Sequence, residues 1–428
     1  MSGGTASGSI ARYRQRRQRF FDLHHRQWPG TLIEPYDVLD PREVGRHAIE
    51  DIRKAARGVM HVYDKISRIF KDVPEPHLRR LGLPDEVVTL AGVSSPISHS
   101  LFARLDLVQS TRGVKLLECN FDSPGLIVET FAINALACES MSINDPNASA
   151  RRALTRRLYH AIESSAEYLA TPVDECRVRI CARSQYTRDV DAAQYIVNEL
   201  QQNNQINVNY LPLDEMRMDD LGLYDARGHK IDVLIRLYPL YRFCRAGIPH
   251  RKKPGCTLDH RMLHECLIRR QLVMLNTPLA TVLETKAIQA LIWRLYESGV
   301  YFGQKDRELI HRYFLRTTFE PPPGQDPVVV KPMYGGGGSD VIVSDPDGNI
   351  LERGRTSHNK GDPCIYQEYV EPPEVETMTE DGVKTLRVIV SAWVIDGRYV
   401  GVSYRTGQGI TDASWWISPI YVGERISI

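Results

Sequence analysis

Residues 327–343 read PVVVKPMYGGGGSDVIV, and the rest of the chain is best read outward from them. An apolar, β-branched run delivers Lys331, four glycines (Gly335, Gly336, Gly337 and Gly338) follow at once, and Ser339 leads into a second apolar run. Consecutive glycines let a backbone take positive φ and lie close against a ligand. Their N–H groups can then cradle phosphate oxygens, with a lysine as a point charge. No GK[ST] closes the loop, so it is not a Walker A motif. A strand follows it, where a dinucleotide fingerprint needs a helix. The same pattern also describes a glycine-rich hairpin tip without chemistry, so the segment alone leaves both readings open.

A second segment lies upstream, at 101–125: LFARLDLVQSTRGVKLLECNFDSPG. Two alternating runs flank Thr111-Arg112-Gly113, which predicts a β-hairpin. Alternation puts Arg104 and Asp106 on one face of the first strand, and Glu118 and Asn120 on one face of the second. Two carboxylates and an amide oxygen suit a hard cation such as magnesium, and an arginine beside them suits a phosphate. Cross-strand ion pairs on a surface hairpin are the competing reading, worth a few tenths of a kcal/mol. In a third segment, CIYQEYVEPP at 364–373, a strand runs into paired prolines and reads as a hinge whose backbone edge can meet an adenine.

The remaining chain frames these three. Val44 to Phe70 is apolar at a helical period, and prolines at 74, 76 and 84 break it. A helix is expected from about Ile127 to Glu139 and another over 151–170. Strands at Val178–Cys181, INVNYLPL and IDVLIRLYPL, with a helix between the first two, predict a small α/β domain. The acidic stretch Glu371–Asp381 is expected to be an exposed loop.

The chain has 428 residues, 54 Lys+Arg against 53 Asp+Glu, 42% hydrophobic and 25% charged residues. Wholesale disorder is excluded. Near-neutral charge gives no global reason to bind nucleic acid or acidic membranes, and no run approaches the eighteen or so apolar residues of a membrane span. The Arg12–Arg19 cluster reads as a basic solvated helix face. Eight scattered cysteines without a CxxC pair read as reduced thiols of a cytoplasmic protein. Cys256, His260, His264 and Cys266 match no standard zinc spacing. Trp415-Trp416 reads either as a pocket wall or as core.

Taken together, RLD…LLECNFDSPG, LETKAIQALIW, VVVKPMYGGGGSDV, IYQEYVEPP, SAWVIDGRYVGVSYRTG and ITDASWWISP occur in one order. That order resembles the synthetase region of glutathionylspermidine synthase, an ATP-grasp ligase family, from about residue 100 to the C-terminus. The resemblance implies an α/β (α+β) fold: a circularly permuted ATP-grasp fold with a pre-ATP-grasp α/β domain and an N-terminal helical region. It divides the chain into 1–90 (N-terminal helices), 91–155 (the ATP-grasp part with the metal-ligand hairpin), 156–275 (the small α/β substrate domain) and 276–428 (lid and ATP-binding core).

The resemblance also implies roles. Arg104 touches the transferred phosphate. Asp106, Glu118 and Asn120 are the Mg2+ ligands. Lys286 and Lys331 clamp the ATP phosphates under the loop of Gly335, Gly336, Gly337 and Gly338. Gln367, Glu368, Tyr369 and Val370 form the adenine hinge. Arg405 lies near the reacting carboxylate, with Arg387 as a second candidate. Because the metal ligands precede the lysines, the 101–120 hairpin must pack against C-terminal strands.

Two departures stand out. The family's loop carries an arginine where this one is all glycine, and the family's Arg-Glu-Asp is Arg405-Thr406-Gly407 here. The implied activity is an ATP- and Mg2+-dependent ligase joining a small-molecule or peptide carboxylate to an amine through an acyl phosphate. A nucleotide-binding pseudoenzyme or partner protein, or an ATP-dependent kinase, is the alternative. The acid, the amine and the oligomeric state stay open.

Overall fold

The computed structural model describes residues 3–31, 39–71, 73–97, 99–202, 206–324, 326–355, 361–412 and 415–423. A long antiparallel sheet forms its centre. In spatial order its strands are Trp416–Ser418, Arg398–Gly407, Gly382–Ile395, Phe102–Ser110 and Gly113–Asn120. The expected hairpin is therefore present, and it packs where the permuted order requires. Asp106 sits opposite Ser391, 285 residues away in sequence.

Side chains alternate across this sheet. Ala103, Leu105 and Leu107, with Val390, Ala392 and Val394, face one core under the helix Arg46–Ser67. That helix follows from its periodic apolar stripe, which buries Ile52, Val59, Tyr63 and Ile66. Phe102, Trp393 and Ile395 face a second core, built with the helices Ala150–Tyr168 and Thr187–Gln201. Arg104 and Asp106 share this second face.

The small α/β domain is a parallel sheet ordered Asn207–Pro212, Arg177–Ala182, Val233–Arg236 and Val273–Leu275. Val233–Arg236 and Val273–Leu275 are buried throughout, as are residues 178–182, because helices or other segments cover both faces, whereas the edge strand Asn207–Pro212 leaves Asn207 and Asn209 exposed. A third, antiparallel sheet carries the glycine loop. Its order is Thr317–Thr318, Cys364–Glu368, Val328–Pro332, Ile342–Ser344 and Ile350–Arg353.

One expectation needs correction. Glu371–Asp381 is not a free loop. Glu374–Thr379 pairs with the start of Gly382–Ile395, burying Thr377 and Thr379 while Glu374 points outward. Charges on the solvent side of an edge strand conceal its alternation. The helix expected over 127–139 is present, with a π turn at Glu129–Ile133 leading into the α-helix Asn134–Met141.

The basic helix Gly3–His24 is held to the body by its arginines. Arg17 pairs with Glu380 at 3.0 Å, and Arg14 donates to the Glu380 carbonyl at 2.6 and 2.9 Å. All eight cysteines are free thiols. Among the described residues no helix is long and apolar enough to cross a membrane. None of them forms a group of three or more His, Cys, Asp or Glu able to hold a metal, the Cys256–Cys266 stretch included.

Candidate active site

The hairpin places its polar residues as alternation requires. Arg104 lies opposite Asn120, and Asp106 opposite Glu118. The register then slips by one residue, so Leu117 is bulged out of the ladder. Its carbonyl accepts instead from Lys331 Nζ at 3.2 Å and from Gln367 Nε2 at 3.3 Å, tying the hairpin to the glycine-loop sheet.

Asp106 is the electrostatic centre. Its Oδ1 accepts from Arg104 Nε at 3.0 Å and Ser391 Oγ at 2.8 Å. Its Oδ2 accepts from Arg104 Nη2 at 3.0 Å, Arg405 Nη2 at 2.7 Å and Asn120 Nδ2 at 3.1 Å. Burial alone would raise this carboxyl. The Arg104 and Arg405 charges and their hydrogen bonds reverse that and hold it at about 2.

The two lysines lie against this cluster. Lys286 immediately precedes the helix Ala287–Ser298, donates to the Gly335 carbonyl at 2.5 Å and stands 3.6 Å from Glu118. Lys331, on Val328–Pro332, donates to Gln367 Oε1 at 2.7 Å. Burial lowers its ammonium to about 8, with Glu118 opposing and Lys286 adding to the shift. Gly335, Gly337 and Gly338 all take positive φ. A Cβ at Gly338 would lie 2.4 Å from the Thr411 carbonyl, so only glycine lets the loop close on the 409–411 segment.

One cleft gathers these groups. Asp106, Glu118, Lys286, Lys331, Gly335, Gly336, Gly338, Gln367, Glu368, Tyr369, Val370, Arg387 and Arg405 all line it. Arg104 stands behind Asp106, and Asn120 faces a neighbouring cavity. Within the hinge segment, Gln367 is turned inward as the partner of Lys331, whereas Tyr369 and Val370 face the cleft with Val341 and Val343. Arg387 is bound to Glu352 at 2.7 Å and Glu371 at 3.1 Å, beside the hinge and away from the Asp106 hydrogen bonds.

The Thr406-Gly407 pair, where the resemblance implies Glu-Asp, is set by its packing. A Cβ at Gly407 would meet the Trp415 ring at 2.4 Å, so a buried indole occupies that space. Thr406 hydrogen-bonds Ser418 at 3.1 Å. Trp415 is thus core, and Trp416 lies on a strand with Lys384 over its ring at 5.4 Å.

Sequence reasoning missed Ser391, which orients Asp106. It also missed Glu284, whose Oε2 accepts from the Phe121 and Asp122 backbone N–H groups at 2.8 Å each. Burial, with Asp122 nearby, raises Glu284 to about 7. Glu284 lay inside a quoted motif, but only the tertiary contact reveals its task.

Asp106, Glu118 and Asn120 offer oxygen donors alone, which fits a hard cation whose remaining positions go to water and phosphate. The lysines and the glycine loop fit the phosphates themselves.

Among solved structures, the chain is similar to a glutathione synthetase-like effector from Globodera pallida in its apo form. The TM-score is 0.59 at 11% identity over 96% of each chain, a likeness of fold. It also matches a candidate gamma-glutamylcysteine synthetase from Methylobacillus flagellatus KT, with TM-score 0.41, 12% identity and 85% of each chain covered. No curated protein matches the sequence. The family model of the glutathionylspermidine synthase preATP-grasp matches residues 42–422, nearly the whole chain, and the protein belongs to that family.

Proposed function

We propose that the protein is an ATP- and magnesium-dependent ligase that joins a carboxylate to an amine through an acyl phosphate. The observation that carries this reading is the single cleft into which distant stretches deliver Asp106, Glu118, Lys286, Lys331, Arg405 and the glycine loop. On this reading 91–155 and 276–428 form the ATP-grasp part, 1–90 and 156–275 shape the substrate side, and the free thiols fit the cytoplasm.

Tyr369 and Val370 would flank the adenine, while Lys286 and Lys331 would hold the phosphates. A substrate carboxylate oxygen attacks the γ-phosphorus and ADP departs. The amine nitrogen then attacks the acyl carbon, phosphate leaves, and the nitrogen loses its proton. Arg104 and Arg405 would stabilise charge on the transferred group once the nucleotide draws them from Asp106. Asp106, Glu118 and Asn120 would hold magnesium, which supplies charge neutralisation at the phosphates when bound. The cavity under the glycine loop measures about 120 Å³. On this reading the glycine-loop sheet closes over the bound nucleotide and keeps water from the acyl phosphate.

The test is ADP release against a panel of acids and amines. The expected result is turnover requiring both, lost in Glu118→Ala and Lys331→Ala. Turnover with acid alone, yielding a stable phosphorylated acid, would replace this reading with a kinase.

A further inference from the structure

The base of the hairpin that carries Asp106, Glu118 and Asn120 is held by side chains that do not line the cleft. Asn276 follows the last parallel strand, Val273–Leu275, and is fully buried. Its Oδ1 accepts from the backbone N–H groups of Leu101 at 2.7 Å and Phe102 at 2.8 Å. Its Nδ2 donates to the carbonyls of Phe121, of Asp122 at 2.9 Å and of Phe102 at 3.1 Å. One amide side chain thus staples the start of the hairpin's first strand to the residues that follow its second.

Asp122 joins the same anchor and is just as buried. Its Oδ1 accepts from Arg236 Nη2 at 2.6 Å and Thr281 Oγ1 at 2.9 Å, and its Oδ2 from the Leu240 N–H at 2.8 Å. Arg236 ends the parallel strand Val233–Arg236 and has no contact with water. A guanidinium buried so completely is tolerated only when paired, so the strand end and the loop are bound to each other. Glu284 receives the N–H groups of Phe121 and Asp122. The N–H and carbonyl groups of both residues after Asn120 are therefore held by side chains, with Asn276 and Glu284 on opposite sides.

Asn120 is the next residue back along the chain. Its Nδ2 donates to Asp106 Oδ2 at 3.1 Å and to the Arg104 carbonyl at 3.5 Å, which leaves its Oδ1 as the atom for a cation. Where that oxygen stands follows from the backbone that the anchor fixes. We propose, resting on the ligase reading above, that Arg236 of the small α/β domain, with Asn276 and Thr281 just beyond its last strand, are positioning residues for the metal site. The small domain supplies no ligand, yet it sets the hold on the cation through Asp122 and the hairpin base. Groups that orient metal ligands typically cost about 10–100-fold in metal affinity when removed.

The test measures ADP affinity of the full chain by calorimetry twice, in saturating Mn2+ and in EDTA. The ratio of the two reports the protein's hold on the metal, and the EDTA value reports the nucleotide site alone. Wild type should show a ratio of roughly ten or more, falling to about one in Glu118→Gln. Arg236→Lys and Asn276→Asp should lower the ratio roughly tenfold, and Thr281→Val, which keeps the shape and loses one hydrogen bond, about threefold. Their EDTA values should stay within about twofold of wild type, because the hinge and both lysines are untouched. Thr281→Ser, which retains the hydroxyl, should restore the wild-type ratio. The Thr281 pair decides the matter if either larger change prevents folding. A ratio unchanged in Thr281→Val and in the folded variants overturns the proposal. So does a parallel loss in Mn2+ and in EDTA, which marks general destabilisation. Either result, with the Glu118→Gln effect intact, leaves the ligase reading standing. A wild-type ratio of one removes both.

Discussion

Asp106 is a buried structural anion to which the proposed function gives a second role, as a metal ligand. Its two oxygens accept five hydrogen bonds, three of them from arginine nitrogens. A carboxylate offers about four lone-pair sites, so nothing remains for a cation until phosphate oxygens compete for Arg104 and Arg405. Mn2+ titrated into the nucleotide-free protein should therefore bind weakly, and ADP should strengthen binding by roughly tenfold or more; equal affinity in both states would contradict this. Lys331 makes a complementary prediction. Its folded-state value, about 8, lies below the ordinary 10.5, so the unfolded chain holds the extra proton between those limits and stability rises with pH across that window. The charge that would bind phosphate is lost over the same range. Nucleotide affinity should fall above about pH 8, and Lys331→Arg should flatten the profile.

At the scale of elements, local pattern carried far. The hairpin, the helix Arg46–Ser67, the parallel strands and the glycine loop each write a period or a turn into contiguous residues. Partners distant in sequence leave no such trace. Nothing around Ser391 announces that it stands opposite Asp106, and nothing in LETKAI shows Glu284 receiving the N–H groups of Phe121 and Asp122. The strand Glu374–Thr379 was hidden because its pattern mixes outward charge with buried threonines. At Gly407, where the resemblance implies an acid, the structure places the Trp415 indole against the backbone. Because Trp415 fills the space beside Gly407, Gly407→Asp should lower stability by about 1–3 kcal/mol through overpacking, measured by denaturant unfolding. Trp415→Ala in the same chain should recover part of that loss. A Gly407→Asp protein as stable as wild type would show that the indole does not hold this position.

Over the whole molecule, the cleft proposed to bind nucleotide draws on residues 106–118 and 286–411, whereas the neighbouring cavity adds Arg79 to Pro84 and Pro239 to Arg245. The N-terminal helices, silent in the sequence as to chemistry, thus wall the side from which an acid would approach. The glycine loop separates the two spaces and touches both. A ligase needs this arrangement, because the phosphoryl donor and the acid must meet with water kept out. The most direct test labels both carboxylate oxygens of the turnover-supporting acid with heavy oxygen and examines the phosphate released. An acyl-phosphate route predicts that each phosphate carries one labelled oxygen from the acid. Amide formation with unlabelled phosphate would contradict the account.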